Sequence, residues 1–149
     1  MNATEVRARY EIQVEEYVMR IQIESRVLGD IARNHIIPTA VKYQNTLIEN
    51  VRGLKEIYDS EYTKHASEQM ELIEKISSYI ANINRGVTDM INARKKANVI
   101  SNNDQRAQLY CNEVLPFFDE IRYHCDRLEL LVDDELWSMV KYRELLFLR

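Results

Sequence analysis

Apolar residues recur along this chain at helical spacing almost from its first residue. Near the N-terminus they fall at Val6, Tyr10, Val14, Tyr17, Ile21, Leu28 and Ile31, with Asn2 placed to cap the helix and Glu5 three residues on. The spacing predicts a long helix with a mostly heptad-like stripe. Pro38 interrupts it, because proline donates no backbone hydrogen bond, clashes with the preceding turn and biases Ile37 away from helical backbone. The helix is expected to kink or stop between Asn34 and Pro38. The pattern then resumes through Ala40, Tyr43, Leu47, Val51 and Leu54 to about Ile57, and Asp59-Ser60 offers a cap for the next helix.

The cleanest periodicity follows, between Ser60 and about Val99. Ile73, Ile76, Ile80, Ile83, Val87 and Met90 alternate in steps of three and four, the spacing of a coiled-coil seam. A helix of some 40 residues is about 60 Å long, which predicts an elongated bundle rather than a sphere. Ser101 to Asp104 supply a polar turn and cap, after which Leu109, Val114, Phe118, Ile121, Cys125, Leu128 and Val132 mark a last long helix that Pro116 should bend. Short connections force antiparallel neighbours. The fold class expected is therefore all-α: an elongated antiparallel bundle of three to four long helices, the first kinked or broken near Pro38. Residues 1–135 form that bundle. Residues 136–149 differ in kind, since Leu136, Trp137, Met139, Val140, Tyr142, Leu145, Leu146, Phe147 and Leu148 crowd the last fourteen positions. Such an apolar tail is expected to dock on another domain or subunit.

Composition agrees with helix throughout: the 149 residues include three glycines and two prolines. The net charge of −4 is mild and both signs mix along every segment, which argues against a nucleic-acid or membrane-surface partner. No run approaches the ~20 apolar residues of a membrane span, and the N-terminus has no apolar signal core. Cys111 and Cys125 sit about 21 Å apart if on one helix, too far to bridge. Free thiols suit a reducing compartment, so the cytoplasm is the expected location.

Candidate chemistry is sparse. The chain lacks a glycine-rich phosphate loop, a Cys-x-x-Cys pair and a His-Glu-x-x-His motif, so no catalytic, cofactor-binding or metal residue is assigned. Glu61 with His65 and Glu120 with His124 are spaced one turn apart, as surface helix pairs commonly are. His35, beside Asn34 and Asp30, is placed to bond a carbonyl freed by Pro38. Glu24 and Arg26 with Gln44, Asn45 and Thr46 extend a polar cluster able to fix register or meet another chain. Arg94-Lys95-Lys96 opposes the dipole at a helix C-terminus. Gly29, Gly53 and Gly86 fall inside helices, at a cost of about 1 kcal/mol each, which close helix crossings would justify.

The stretches IQIESRVLGDIARNHIIPTAVKYQNTLIENVRGLKEIY (Ile21 to Tyr58), INARKKAN (Ile91 to Asn98), YCNEVLPFFDEIRYHCDRLELLVDDELW (Tyr110 to Trp137) and KYRELLF (Lys141 to Phe147) closely resemble the C-terminal helical region of type III glutamine synthetases. That resemblance implies a segment of a larger enzyme that joins ammonia to glutamate with ATP and a divalent metal (Mg or Mn) and assembles as a ring-shaped homo-oligomer. The chemistry would lie in an upstream catalytic domain, and none of that domain's motifs matches here. This segment alone is expected to be inactive, a structural module contacting the catalytic domain of the same polypeptide and neighbouring subunits. Candidate interface residues are Glu24, Arg26, Asp30, His35, Gln44, Trp137, Tyr142, Leu146 and Phe147. Two alternatives are a free-standing coiled-coil adaptor binding a partner helix and a cofactor-holding bundle.

Overall fold

The computed structural model describes residues 2–132. The apolar tail, with Trp137, Tyr142, Leu146 and Phe147, lies outside them. Helix α1 (Ala3–Ile31) opens where the predicted cap forms, the Asn2 side-chain oxygen accepting the Glu5 amide at 2.8 Å. It passes through a π-helical turn (Ala32–Ile36) straight into α2 (Ile37–Tyr58). After a 3-10 turn (Asp59–Glu61) comes α3 (Tyr62–Val99). Helix α4 (Asn103–Leu109), capped by Asn102 on the Gln105 amide at 3.0 Å, leads through a second π-helical turn (Tyr110–Val114) into α5 (Pro116–Leu131).

Among the described residues the protein is all-helical, with no strand. Neither proline ends a helical run, so the described residues form three runs, 3–58, 62–99 and 103–131, and the fourth helix expected of a break at Pro38 is not found among them. At each proline, the residue just before it donates its amide five residues back instead of four: Ile37 to the Ala32 carbonyl, and Leu115 to the Tyr110 carbonyl at 2.9 Å. The extra residue widens the turn and moves aside the carbonyl that the proline ring would strike, so the chain continues. Ile37 accordingly keeps helical backbone (φ −59°, ψ −48°), contrary to the bias expected of a residue before proline. The two sites share a local sequence, Asn34-His35-Ile36-Ile37-Pro38 and Asn112-Glu113-Val114-Leu115-Pro116.

The cap expected at Asp59-Ser60 is not made by a side chain. Asp59 instead turns the backbone itself, at φ 49° and ψ −120°, a conformation outside the left-handed helical basin that residues with a side chain rarely adopt. Helix α3 then runs antiparallel to α1 and α2. Gln44 reaches Ile73 and Ser77, Arg33 reaches Asn84 and Thr88, Ser25 meets Arg94, and Gln22 meets Asn98, so position falls along α3 as it rises along α1 and α2. Helix α5 covers another side of α3.

The α3 seam forms the core much as its spacing predicts. Ile76, Ile83, Val87 and Met90 are fully buried, with Ile73 and Ile80 half-buried beside them, and Val114, Ile121 and Leu128 meet them from the α5 side. Burial of each such side chain is worth roughly 1.5–3 kcal/mol. Neighbouring α3 residues serve two crossings: a Cβ on Gly86 would stand 3.0 Å from Ile121, and one on Gly29 would stand 3.4 Å from Val87. Gly53 has open space around it, so no crossing accounts for it. The N-terminal end of the α1 stripe is uncovered, Val6 and Tyr10 each being 53% exposed. A second set, Ile12, Met19, Ile23 and Val27, follows the outer side of α1 at helical spacing, and each is more than half exposed.

Candidate functional site

The polar face centres on the crossing of α1 and α3 one turn before the first π-helical turn. Ser25 occupies a core-facing position one turn after Ile21 and is fully buried. Its hydroxyl donates to the Gln22 carbonyl at 2.9 Å and accepts from Arg94 Nη1, also at 2.9 Å. Arg94 itself follows Met90 by one turn on the seam, which directs a guanidinium where the pattern would place an apolar residue. Desolvation pulls its pKa below the usual arginine value, and the nearby Arg26 guanidinium adds to the effect. Arginine nevertheless stays charged at neutral pH.

Arg33, inside the π-helical turn, is held by α3. Its Nε donates to the Asn84 side-chain oxygen at 3.1 Å, and Nη2 donates to Thr88 Oγ1 at 2.6 Å. Asp30 Oδ1 accepts from Asn34 Nδ2 at 2.5 Å. Arg26, Arg33, Arg94, Ser25, Asp30 and Asn34, with Gly29, Val87 and Ile91, line one cleft of about 240 Å³. The ion pairs among the described residues lie elsewhere, each within one helix end or turn: Arg7–Glu11, Glu49–Arg52, Glu61–Lys64 and Glu71–Lys75.

Of the candidates named from sequence, the structure therefore brings Arg26 and Asp30 together. Gln44 is spent on α3, donating to the Ile73 carbonyl at 2.9 Å and to Ser77 Oγ at 2.7 Å. Glu24 and His35 are exposed and do not line the cleft. His35 does not mend the backbone beside Pro38 either: Thr39 Oγ1 does so, donating to the His35 carbonyl at 2.7 Å. Sequence reasoning missed Ser25, Arg33 and Arg94. The signal was present for two of them, since Ser25 and Arg94 are polar residues at core-facing register positions.

The paired histidines have other neighbours. His65 stacks on Tyr58, with ring centroids 3.9 Å apart, and His124 lies edge-on to Tyr123. Among the described residues no group of three or more His, Cys, Asp or Glu is placed to hold a metal ion such as Mg²⁺ or Mn²⁺. No described helix is long and apolar enough to cross a membrane.

A family profile for the glutamine synthetase C-terminal domain matches residues 1–55, the stretch that contains α1, the first π-helical turn and most of α2. A protein named glutamine synthetase from Bacteroides fragilis (strain YCH46) is 48% identical over 147 residues, 98% of this chain. The similarity is to the C-terminal domain of glutamine synthetases. A type-3 glutamine synthetase from Dictyostelium discoideum is 27% identical over the whole chain, and a glutamine synthetase from Butyrivibrio fibrisolvens is 25% identical over 96% of it. The chain spans 20% of the length of each of these glutamine synthetases. The domain profile covers Ser25, Arg26, Asp30 and Arg33 of the cleft, while Arg94 lies beyond it.

Proposed function

We propose that this chain is the C-terminal structural and assembly module of a type III glutamine synthetase. The rest of that polypeptide would ligate ammonia to glutamate with ATP and Mg or Mn, in the cytoplasm. The observation that carries this reading is 48% identity along 98% of the chain to a glutamine synthetase of which the chain spans only 20%. At that identity the whole bundle has a counterpart in the relative, and four fifths of the relative remains for the chemistry.

The bundle's surface supports an assembly role. Ile12, Met19, Ile23 and Val27 give α1 an outward apolar stripe, suited to packing on the catalytic domain or on a neighbouring subunit of a ring-shaped homo-oligomer. The tail from Leu136 to Leu148 offers a second apolar contact. Each would be buried in the assembled enzyme.

Truncation and substitution in the full enzyme test the proposal. Deleting residues 136–149, or replacing Met19 and Ile23 together by glutamate, is expected to reduce the ring-sized species in light scattering before it impairs the chemistry of subunits that still assemble. Normal assembly and turnover in both variants would overturn the assembly role.

A further inference from the structure

The cleft between α1 and α3 has more positive charge than the described residues around it neutralise. Three guanidiniums line it, from Arg26, Arg33 and Arg94, against the single carboxylate of Asp30. That leaves two positive charges in excess. The Asp30 oxygen is already engaged by Asn34, and the ion pairs among the described residues include none of the three arginines. Gathering like charges in a partly desolvated cleft opposes folding unless a counter-charge is supplied.

The arrangement is also built rather than incidental. Arg94 is held by the fully buried Ser25 hydroxyl at 2.9 Å, and Arg33 is held by Thr88 and Asn84 at 2.6 and 3.1 Å. Arg33 Nη2 donates to the Asn84 carbonyl as well, at 3.4 Å, which leaves its Nη1 uncommitted, while at Arg94 the Ser25 bond engages Nη1 alone. Five N–H donors per arginine leave others to face the cleft. A planar guanidinium pairs well with the tetrahedral or planar oxygens of an oxyanion, often through two parallel bonds.

We propose that this cleft binds a small dianionic oxyanion of the phosphate type, coordinated by Arg33 and Arg94 with Arg26 at its rim. The excess of two positive charges selects a dianion over a monoanion. At about 240 Å³ the cleft has room for such an ion and its waters. The wide turn at Ala32–Ile36 contributes by carrying Arg33 to the α3 side. Bound there, the anion would tie α1 to α3 across the base of the turn. This inference rests on the cleft's own residues and stands apart from the assembly role proposed above.

Titration of the full chain with inorganic phosphate at constant ionic strength tests it, read by the side-chain Nε–H signals of arginine in nuclear magnetic resonance. Arg33 and Arg94 are expected to follow one saturating curve, while Arg52, exposed and distant on α2, does not respond. Acetate at matched ionic strength should bind more weakly. A simple phosphate monoester separates the sources: tighter binding than inorganic phosphate would assign the cleft to the phosphate group of a larger molecule, and weaker binding to the free ion. Arg94→Gln should lower phosphate affinity about tenfold or more, equivalent to about 1.4 kcal/mol. Should that variant fail to fold, Arg26→Gln, altered only at the rim, is expected to weaken phosphate several-fold with a melting temperature no lower than that of the wild type without phosphate. Linear, unsaturating shifts shared by Arg52, equal affinity for acetate and phosphate, or wild-type phosphate affinity in folded Arg94→Gln and Arg26→Gln would each overturn the proposal.

Discussion

At Pro38 a π-helical turn carries Arg33 to the edge of a polar cleft, whereas at Pro116 the equivalent turn carries Tyr110 into the core. The backbone device is the same at both: the residue before proline reaches back five positions, and the helix goes on. Both turns bury their first and last residues, Ala32 and Ile36 in one and Tyr110 and Val114 in the other, and expose residues between them; what differs is the side chain in the first place. Tyr110 is fully buried, its hydroxyl bonded by the Gln22 amide at 2.9 Å and paired with the Asn98 side-chain oxygen. His35 and Asn34 at the first turn are exposed. A wide turn thus keeps a proline-bearing helix continuous, and the side chains it displaces decide whether it serves packing or polar contact.

The largest effect expected from this contrast is at Tyr110. Tyr110→Ala removes a buried aromatic ring and leaves its polar partners unpaired, so about 3–5 kcal/mol of stability should be lost. His35→Ala at the first turn should stay within about 0.5 kcal/mol. Urea unfolding of the two variants measures the difference, and equal losses would erase the distinction between the turns.

A smaller effect is expected at the prolines themselves. If each turn accommodates its proline without strain, Pro38→Ala and Pro116→Ala should each destabilise by about 0.4–1 kcal/mol, because alanine gives the unfolded chain more freedom to lose. A gain in stability at either site would show that the π-helical turn there holds a strained proline.

The third contrast concerns the thiols. Cys111, in the second turn, is exposed, while Cys125 on α5 is buried, and desolvation pushes its thiol up to about 12, with Asp126 adding to the effect. Between the ordinary value of 9.0 and about 12 the unfolded chain releases a proton that the folded Cys125 retains. Its contribution to stability is therefore complete below about pH 9 and lost as pH rises towards about 12. Cys125→Ala should flatten the alkaline fall in stability relative to wild type, and at neutral pH a maleimide should label Cys111 only. Labelling of Cys125 in the folded chain at a comparable rate would contradict this.

Much of the fold was legible in the residues. The steps of three and four from Ile73 to Met90 located the buried face of α3, and Asn2 and the run from Ser101 to Asp104 marked caps that form, the second at Asn102. Continuity through Pro116 was read, as one last long helix bent there, and at Pro38 a kink stood beside a stop; the π-helical turn that carries the chain through each proline was not legible, because it depends on one extra residue absorbed by packing on both sides rather than on a propensity. The repeated pattern of asparagine, an aliphatic pair and proline acquires meaning only once both turns are visible. The cleft was half legible. Arg26 and Asp30 drew attention as part of a polar face, but Arg94 read as a charge opposing the helix dipole. Its position one turn after Met90 on the seam was the better clue, since register sets which side of a helix a residue occupies. Gln44 took one of the two roles read for its polar cluster, the fixing of register: it bonds the neighbouring helix at the Ile73 carbonyl and Ser77.

The most direct measurement is the mass of the native polypeptide that carries this sequence, detected in source cells with an antibody raised against the α3 segment from Tyr62 to Val99. Since the chain spans 20% of its glutamine synthetase relatives, the account predicts a species about five times its 17.7 kDa, sedimenting as a large homo-oligomer with glutamine synthetase activity. A species of 17.7 kDa, free of that activity, would contradict it.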